Sequence, residues 1–183
     1  LYKDSFTELM KADDPSVFLF TSGTTGRPKG ILHSAYGMLN SAFVLGERMR
    51  MTAEDKSYLL LPLYHIMGFM DSFIVPLLFD GMVYIAPDTR TNSIREIISK
   101  YRCTILNSVP TMMLALARNE HFAEYDLSCV RASMMGGAPL LPAQMEMLQN
   151  LMPNNHFISG YALSELAPAC NTLYEDTRNH ILN

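Results

Sequence analysis

Short apolar runs alternate with stretches of helical periodicity along the chain, and this alternation limits the fold more than any other feature. The runs are Val17–Phe20, Tyr58–Leu61, Met82–Ala86, Cys103–Leu106, Val130–Met135 and His156–Ser159. Pro62, Pro87, Pro110, Gly136–Gly137 and Gly160 stand at or near the ends of the last five, and a Gly-rich loop follows the first. Runs of this length between turn formers read as buried strands. Between them, Ser34–Met49, Ile66–Phe79, Ser93–Tyr101, Thr111–Asn119 and Pro142–Leu151 read as helices. Ser93 is expected to cap its helix ahead of Glu96, Pro142 suits a first helical turn, and Pro76 should bend the buried helix that carries it. Strict strand–helix alternation implies an α/β fold, a mostly parallel sheet with helices on both faces. Ligands of such folds sit at the carboxyl ends of the strands.

The chain has 183 residues, of which 49% are hydrophobic and only 17% charged. Soluble domains carry about 25% charged residues, so disorder is excluded and a single domain over residues 1–183 is expected. Fourteen basic against eighteen acidic residues give a net charge of −4, which argues against nucleic acid as a partner. Three widely spaced cysteines, 103, 129 and 170, form no CxxC pair. That excludes a disulfide framework and common zinc patterns, and it suits a reducing, cytoplasmic setting. No transmembrane segment is expected, because Asp71 and Pro76 interrupt the longest apolar stretch, Ile66–Phe79. No signal peptide is recognisable, and a start at Leu1 rather than Met suggests a piece of a longer protein.

The densest chemistry lies in Thr21-Ser-Gly-Thr-Thr-Gly-Arg-Pro-Lys-Gly30. It follows an expected strand and precedes an expected helix. Glycines let backbone N–H groups approach an anion, hydroxyls add donors, Lys29 adds a compact charge, and a following helix start would add its dipole. Pro28 and Gly30 break the Walker A pattern. Composition alone leaves a flexible surface turn as an alternative.

These ten residues resemble the phosphate-binding signature of the adenylate-forming superfamily, which includes acyl- and aryl-CoA synthetases, luciferases and peptide-synthetase adenylation domains. The resemblance extends over about residues 15–175. Pro62-Leu-Tyr-His-Ile-Met-Gly68 is similar to a motif whose His gates the passage between acyl pocket and CoA thiol in the CoA ligases, a role that falls to His65. Read alone, His65 would be an ordinary packed histidine. Val109-Pro-Thr111 resembles the start of a helix lining the acyl side, although a strand end and a helix cap explain it equally well. Met135-Gly-Gly-Ala-Pro-Leu140 resembles the segment that wraps adenine, with Gly137, Ala138 and Pro139 in contact; a plain turn needs the same residues.

Ser159-Gly-Tyr-Ala-Leu-Ser-Glu165 resembles the motif Tyr-Gly-x-Thr-Glu. The resemblance implies that Gly160 and Tyr161 lie by the adenine, Ser164 contacts the α-phosphate and Glu165 holds Mg²⁺. Ala162 stands where the family has Gly, and Ser164 where it has Thr, so a shift in acyl specificity is expected. His33 is read as structural, packing against or capping the helix start. The abundant methionines are read as core filler.

The resemblance therefore implies an ATP-dependent, AMP-forming carboxylic acid–CoA ligase. Its nucleotide loop would be Thr21, Ser22, Gly23, Thr24, Thr25, Gly26 and Lys29. Its working residues would be Lys29, His65, Ser164 and Glu165, with ATP/AMP, Mg²⁺ and CoA as the small molecules bound. The family's N-terminal portion, ribose-binding Asp and C-terminal domain with its Lys are expected outside this chain, so the isolated chain is expected not to turn over. Two alternatives stay open: transfer of acyl-AMP to a carrier protein or a luciferase-like step, and a non-catalytic nucleotide or acyl sensor.

Overall fold

The computed structural model describes residues 11–21 and 27–176. The first strand, β1 (Pro15–Thr21), is followed by a second, β2 (Lys29–Ser34), that pairs with it antiparallel. Lys29–Ser34 is therefore a strand paired antiparallel with β1, and the helix expected after the Gly-rich segment follows that strand. The expected helix starts only at Ala35, as α1 (Ala35–Arg48), capped by the Ser34 hydroxyl, which accepts the Gly37 N–H at 3.1 Å. Ile31 and Leu32 sit opposite Leu19 and Phe18, and this cross-strand pairing draws the segment into extended structure.

The central sheet is parallel. β3 (Lys56–Leu59) pairs with β4 (Met82–Ile85), and β5 (Ala132–Met135) pairs with the first half of β6 (His156–Leu163). Ile105 alone joins the two pairs, through bridges to Ser57 and Ala132. The expected strand Cys103–Leu106 is reduced to this bridge, because the Thr104 and Ile105 N–H groups both donate to the Lys56 carbonyl and break the regular ladder. β6 runs past Gly160, where the sequence pattern ends it, and its second half pairs antiparallel with β7 (Ala167–Asn171).

Helices cover both faces. Met38, Ala42 and Leu45 of α1 pack with Met70 and Val75 against Ile105, Ala132, Met134 and Ile158. On the other face, α3 (Thr91–Tyr101), α4 (Pro110–Ala117) and α5 (Pro142–Leu151) set Ile94, Ile98, Met113 and Leu148 against Tyr58, Leu106, Met135 and Phe157. Met134 and Met135, like Phe157 and Ile158, point to opposite sides, as the two-residue period of a strand requires. Two caps differ from expectation. Asp88 accepts the Arg90 N–H at 2.9 Å ahead of α3, so the helix starts at Thr91, and Ser93 lies inside it with its hydroxyl donating to the same carboxylate. α4 starts at Pro110 with Val109 as its cap residue, ahead of Thr111.

The apolar stretch after His65 is wound as a π-helix over Met67–Ile74, followed by one turn, α2 (Val75–Leu78). The Val75 N–H bonds to the Met70 carbonyl, five residues back. The residue five beyond Asp71 is Pro76, which has no N–H. The Asp71 carbonyl is thus released and accepts Nδ2 of buried Asn107 at 2.8 Å. The Ser72 carbonyl, four residues before Pro76, accepts the Ser57 hydroxyl at 3.1 Å. Asn107 Oδ1 in turn accepts the Met134 N–H at 3.0 Å. One side chain ties the π-helix to β5.

A second buried link joins Asp55, ahead of β3, to Arg131, ahead of β5. Nε of Arg131 donates to Asp55 Oδ1 at 2.8 Å, Thr104 Oγ1 donates to the same oxygen at 2.7 Å, and the Thr52 N–H reaches Oδ2 at 2.9 Å. Burial by itself raises the Asp55 carboxyl, but the Arg131, Thr104 and Thr52 hydrogen bonds and the Arg131 charge outweigh it and hold the group below its ordinary 3.8.

Asn107→Leu leaves a buried carbonyl and a buried N–H unpaired, and at about 1–3 kcal/mol for each urea unfolding should show a loss of about 2–6 kcal/mol. A depressed carboxyl stabilises the fold above its unfolded pKa and loses that effect as pH falls through the folded one. From about pH 4 downward, the unfolding free energy should therefore fall more steeply for the unsubstituted protein than for Asp55→Asn.

Candidate functional site

The loops after β3, β5 and the parallel half of β6 converge on one cavity of about 230 Å³. Its wall is formed by His65, Ile66, Met67 and Asp71 from the first loop and the π-helix, and by Val109 from the start of α4. Met134, Gly136 and Gly137 come from the end of β5, and Gly160, Ala162 and Ser164 from β6 and its turn. The site lies where a parallel sheet places its ligands.

Close backbone packing positions His65. Its N–H donates to the Pro62 carbonyl at 3.1 Å, and its own carbonyl accepts the Phe69 N–H at 2.9 Å. Ring nitrogen Nδ1 accepts the Met67 N–H at 3.2 Å, so in the neutral ring the proton is on Nε2. Gly68 makes this turn possible. A methyl group there would overlap the Pro62 carbonyl oxygen and lie 2.8 Å from that of Leu61. Gly137 has φ +81°, a conformation that favours glycine. It turns the chain at the cavity edge and leaves Gly137, Ala138 and Pro139 exposed.

Ser164 and Glu165 occupy the turn between β6 and β7. The expected role of His33 as a helix cap belongs instead to Ser34. Nε2 of His33 donates to the Ser164 carbonyl at 2.7 Å, so β2 holds the turn that carries the Ser164 hydroxyl. Lys29 is exposed at the far end of β2, opposite Thr21. Ser22, Gly23, Thr24, Thr25 and Gly26, expected to form the phosphate loop, lie outside the described residues. Tyr161 is exposed and sits opposite Cys170 in the hairpin.

The structure thus brings His65, Gly137, Gly160 and Ser164 to one cavity, with Val109 and Ala162. Ala138, Pro139, Tyr161 and Glu165 do not line it, and Thr21 and Lys29 are linked to it only through β2. Glu165 presents a carboxylate at an exposed turn, and among the described residues no group of three or more His, Cys, Asp or Glu gathers. A single exposed carboxylate is compatible with a Mg²⁺ that draws most of its ligands from nucleotide phosphates and water. The cysteines are free, and burial pushes the Cys103 thiol up to about 12 and raises that of Cys129, which makes both poor nucleophiles. Asp71 lines the cavity although the motifs do not mark it; it is a charge inside an apolar run.

The chain belongs to the AMP-binding enzyme family, whose model matches residues 3–182. It is 32% identical over 160 residues to a Danio rerio protein named medium-chain acyl-CoA ligase ACSF2, mitochondrial, covering 85% of this chain and 26% of that protein. It is 34% identical over 155 residues to acyl-CoA ligase SID4 of Ajellomyces capsulatus, covering 82% of this chain and 26% of that one. The fold superposes on ATP-bound MatB from Rhodopseudomonas palustris with a TM-score of 0.81 at 28% identity, over 92% of this chain and 33% of MatB. The chain therefore spans between a quarter and a third of the length of these relatives. Among the described residues no helix is long and apolar enough to cross a membrane.

Gly68→Ala should cost about 1–3 kcal/mol through overpacking against rigid carbonyls, read by denaturant unfolding.

Proposed function

We propose that the protein carrying these residues is an ATP-dependent, AMP-forming carboxylic acid–CoA ligase, and that residues 1–183 are one subdomain of its nucleotide- and acyl-binding part. The observation that carries the reading is the single cavity shared by His65, Gly137, Gly160 and Ser164. These residues come from three separate motifs, in a chain whose family binds AMP and whose relatives bear acyl-CoA ligase names. Further support for a larger assembly is the apolar surface left bare on β1, β2 and α1, where Phe18, Phe20, Leu32, Tyr36 and Phe43 are exposed.

In this reading a carboxylate oxygen of the acid attacks the α-phosphorus of ATP and pyrophosphate leaves. The CoA sulfur then attacks the acyl carbon and AMP leaves. Little covalent work falls to the protein in the first step; positioning and charge compensation dominate. Lys29 and the segment from Thr21 to Gly26 hold the β- and γ-phosphates. Gly137, Ala138, Pro139, Gly160 and Tyr161 bound the adenine, and the Ser164 hydroxyl, its turn held by His33, orients the α-phosphate. Glu165 is the residue that would hold Mg²⁺, which when bound offsets phosphate charge. His65 stands between the acyl cavity and the entering thiol. Apolar walls from Ile66, Met67, Val109 and Met134 suit a hydrocarbon acid, and the Ala162 methyl narrows the space. A cytoplasmic setting fits the free cysteines; the mitochondrial location in a relative's name describes that relative.

The test is AMP release by the full-length protein with a panel of aliphatic and aromatic acids, with and without CoA. Acid- and CoA-dependent AMP is expected, falling at least about 100-fold in Lys29→Ala and in Glu165→Ala. AMP formed without dependence on CoA would indicate another acceptor. Nucleotide binding without turnover on any acid would overturn the ligase reading.

A further inference from the structure

Asp71 is the anomaly of the cavity. The residue is 3% exposed, yet it borders the open volume shared with His65, Gly160 and Ser164. Its carbonyl is engaged by Asn107, and no hydrogen bond among the described residues reaches its carboxyl. Burial raises that carboxyl well above its ordinary range, and no hydroxyl, amide or cation among the described residues offsets the effect. Its neighbours on the cavity wall, Ile66, Met67, Val109 and Met134, are apolar. A buried carboxyl without a partner is a cost that folds avoid unless a ligand satisfies it. The group sits in a π-helix, a rare winding found often at functional sites, and that winding is held by the Asn107 and Ser57 hydrogen bonds.

We propose that Asp71 is a specificity-determining residue whose carboxyl receives a hydrogen-bond donor, a hydroxyl or amino group, carried on the acyl part of the acid substrate. This rests on the acid–CoA ligase reading of the same cavity. The substrate is then a mainly apolar acid with one polar substituent, and a plain alkyl acid of the same length leaves Asp71 unpaired. Binding sites built around a polar contact discriminate strongly against analogues that lack it, whereas an added methylene changes little. A hydroxyl can both donate to and accept from a protonated carboxyl; an ammonium group would instead be met by the ionised form.

The experiment uses the full-length protein and matched acids: hexanoate, each of its monohydroxy isomers, and its terminal amino derivative. The readouts are CoA-dependent AMP release and, independently of turnover, calorimetric binding. At least one hydroxy or amino acid should exceed hexanoate in kcat/KM by about 10-fold or more, chiefly through KM. Asp71→Leu should abolish or invert that preference while hexanoate is still turned over. Asp71→Asn, which keeps the shape, should retain a hydroxy acid and lose the amino acid if the natural donor is a hydroxyl. Where the unsubstituted protein instead prefers the amino derivative, loss of that preference in Asp71→Asn assigns the donor to an ammonium group. Hexanoate preferred by the unsubstituted protein, or equal losses for all acids in a folded Asp71→Leu protein, would overturn the proposal and leave the ligase reading intact. No AMP from any acid would overturn both.

Discussion

The Asp71 carbonyl has no helical N–H to accept, because Val75 bonds back to Met70 and Pro76 has no hydrogen to give, and Pro76 also removes the donor four residues beyond Ser72. The sheet supplies the missing donors, Asn107 to the first and Ser57 to the second, and Asn107 also takes the Met134 N–H. These bonds fix the rotation of the π-helix relative to β5, and so decide which side chains of Met67–Ile74 face the cavity. In a regular α-helix over the same residues, one backbone turn would span fewer residues and Asp71 would shift along the helix surface. The geometry of the acyl wall therefore follows from a proline and an asparagine, neither of which lines it. The Asp55–Arg131 pair plays a comparable part at the opposite ends of the strands, where it joins the starts of β3 and β5 with Thr104 between them.

Much of this was legible from residue pattern alone. The central strands and both helical layers follow from apolar runs, turn formers and spacing, and Ser34 and Pro142 are where helix chemistry puts them. What was not legible has specific causes. Lys29–Ser34 is short and mixed, so pattern cannot separate it from a helix entry, and only pairing with β1 makes it a strand. The second half of β6 depends on β7 in the same way. Ser93 loses the capping role because Asp88, three residues before Thr91, offers a stronger acceptor. Apolar content marks Ile66–Phe79 as buried, but winding of the π type depends on which donors lie across the interface. The candidate site was legible through motifs, which identify residue types at fixed separations. Cavity walls supplied by neighbouring turns, such as Asp71 and Met134, carry no such mark.

The site has two parts with different supports. The cavity walls proposed for the acyl group rest on strand ends, the packed Gly68 turn and the Asn107 hydrogen bonds. Lys29, the residue proposed to meet phosphate, stands on the β1–β2 strand pair. His33 is the joint between them, since its Nε2–H fixes the Ser164 carbonyl from β2. A shift of the strand pair moves both Lys29 and the Ser164 turn. In the proposed reading, the phosphate contacts of Lys29 and Ser164 would be coupled through this one hydrogen bond.

A polar group in this position also constrains the energetics of the fold. Leucine at residue 71 would bury more apolar surface and remove a desolvated carboxyl. The chain instead places a carboxyl on a wall of Ile66, Met67, Val109 and Met134, beside a backbone carbonyl already diverted to Asn107. The Ser72 hydroxyl next to it is buried without a hydrogen-bond partner among the described residues. Other buried polar atoms without a partner among the described residues, such as Tyr58 Oη and Arg95 Nε, lie away from this cavity, whereas Asp71 borders it. The buried Asp55 carboxyl, by contrast, is met by Arg131 and Thr104.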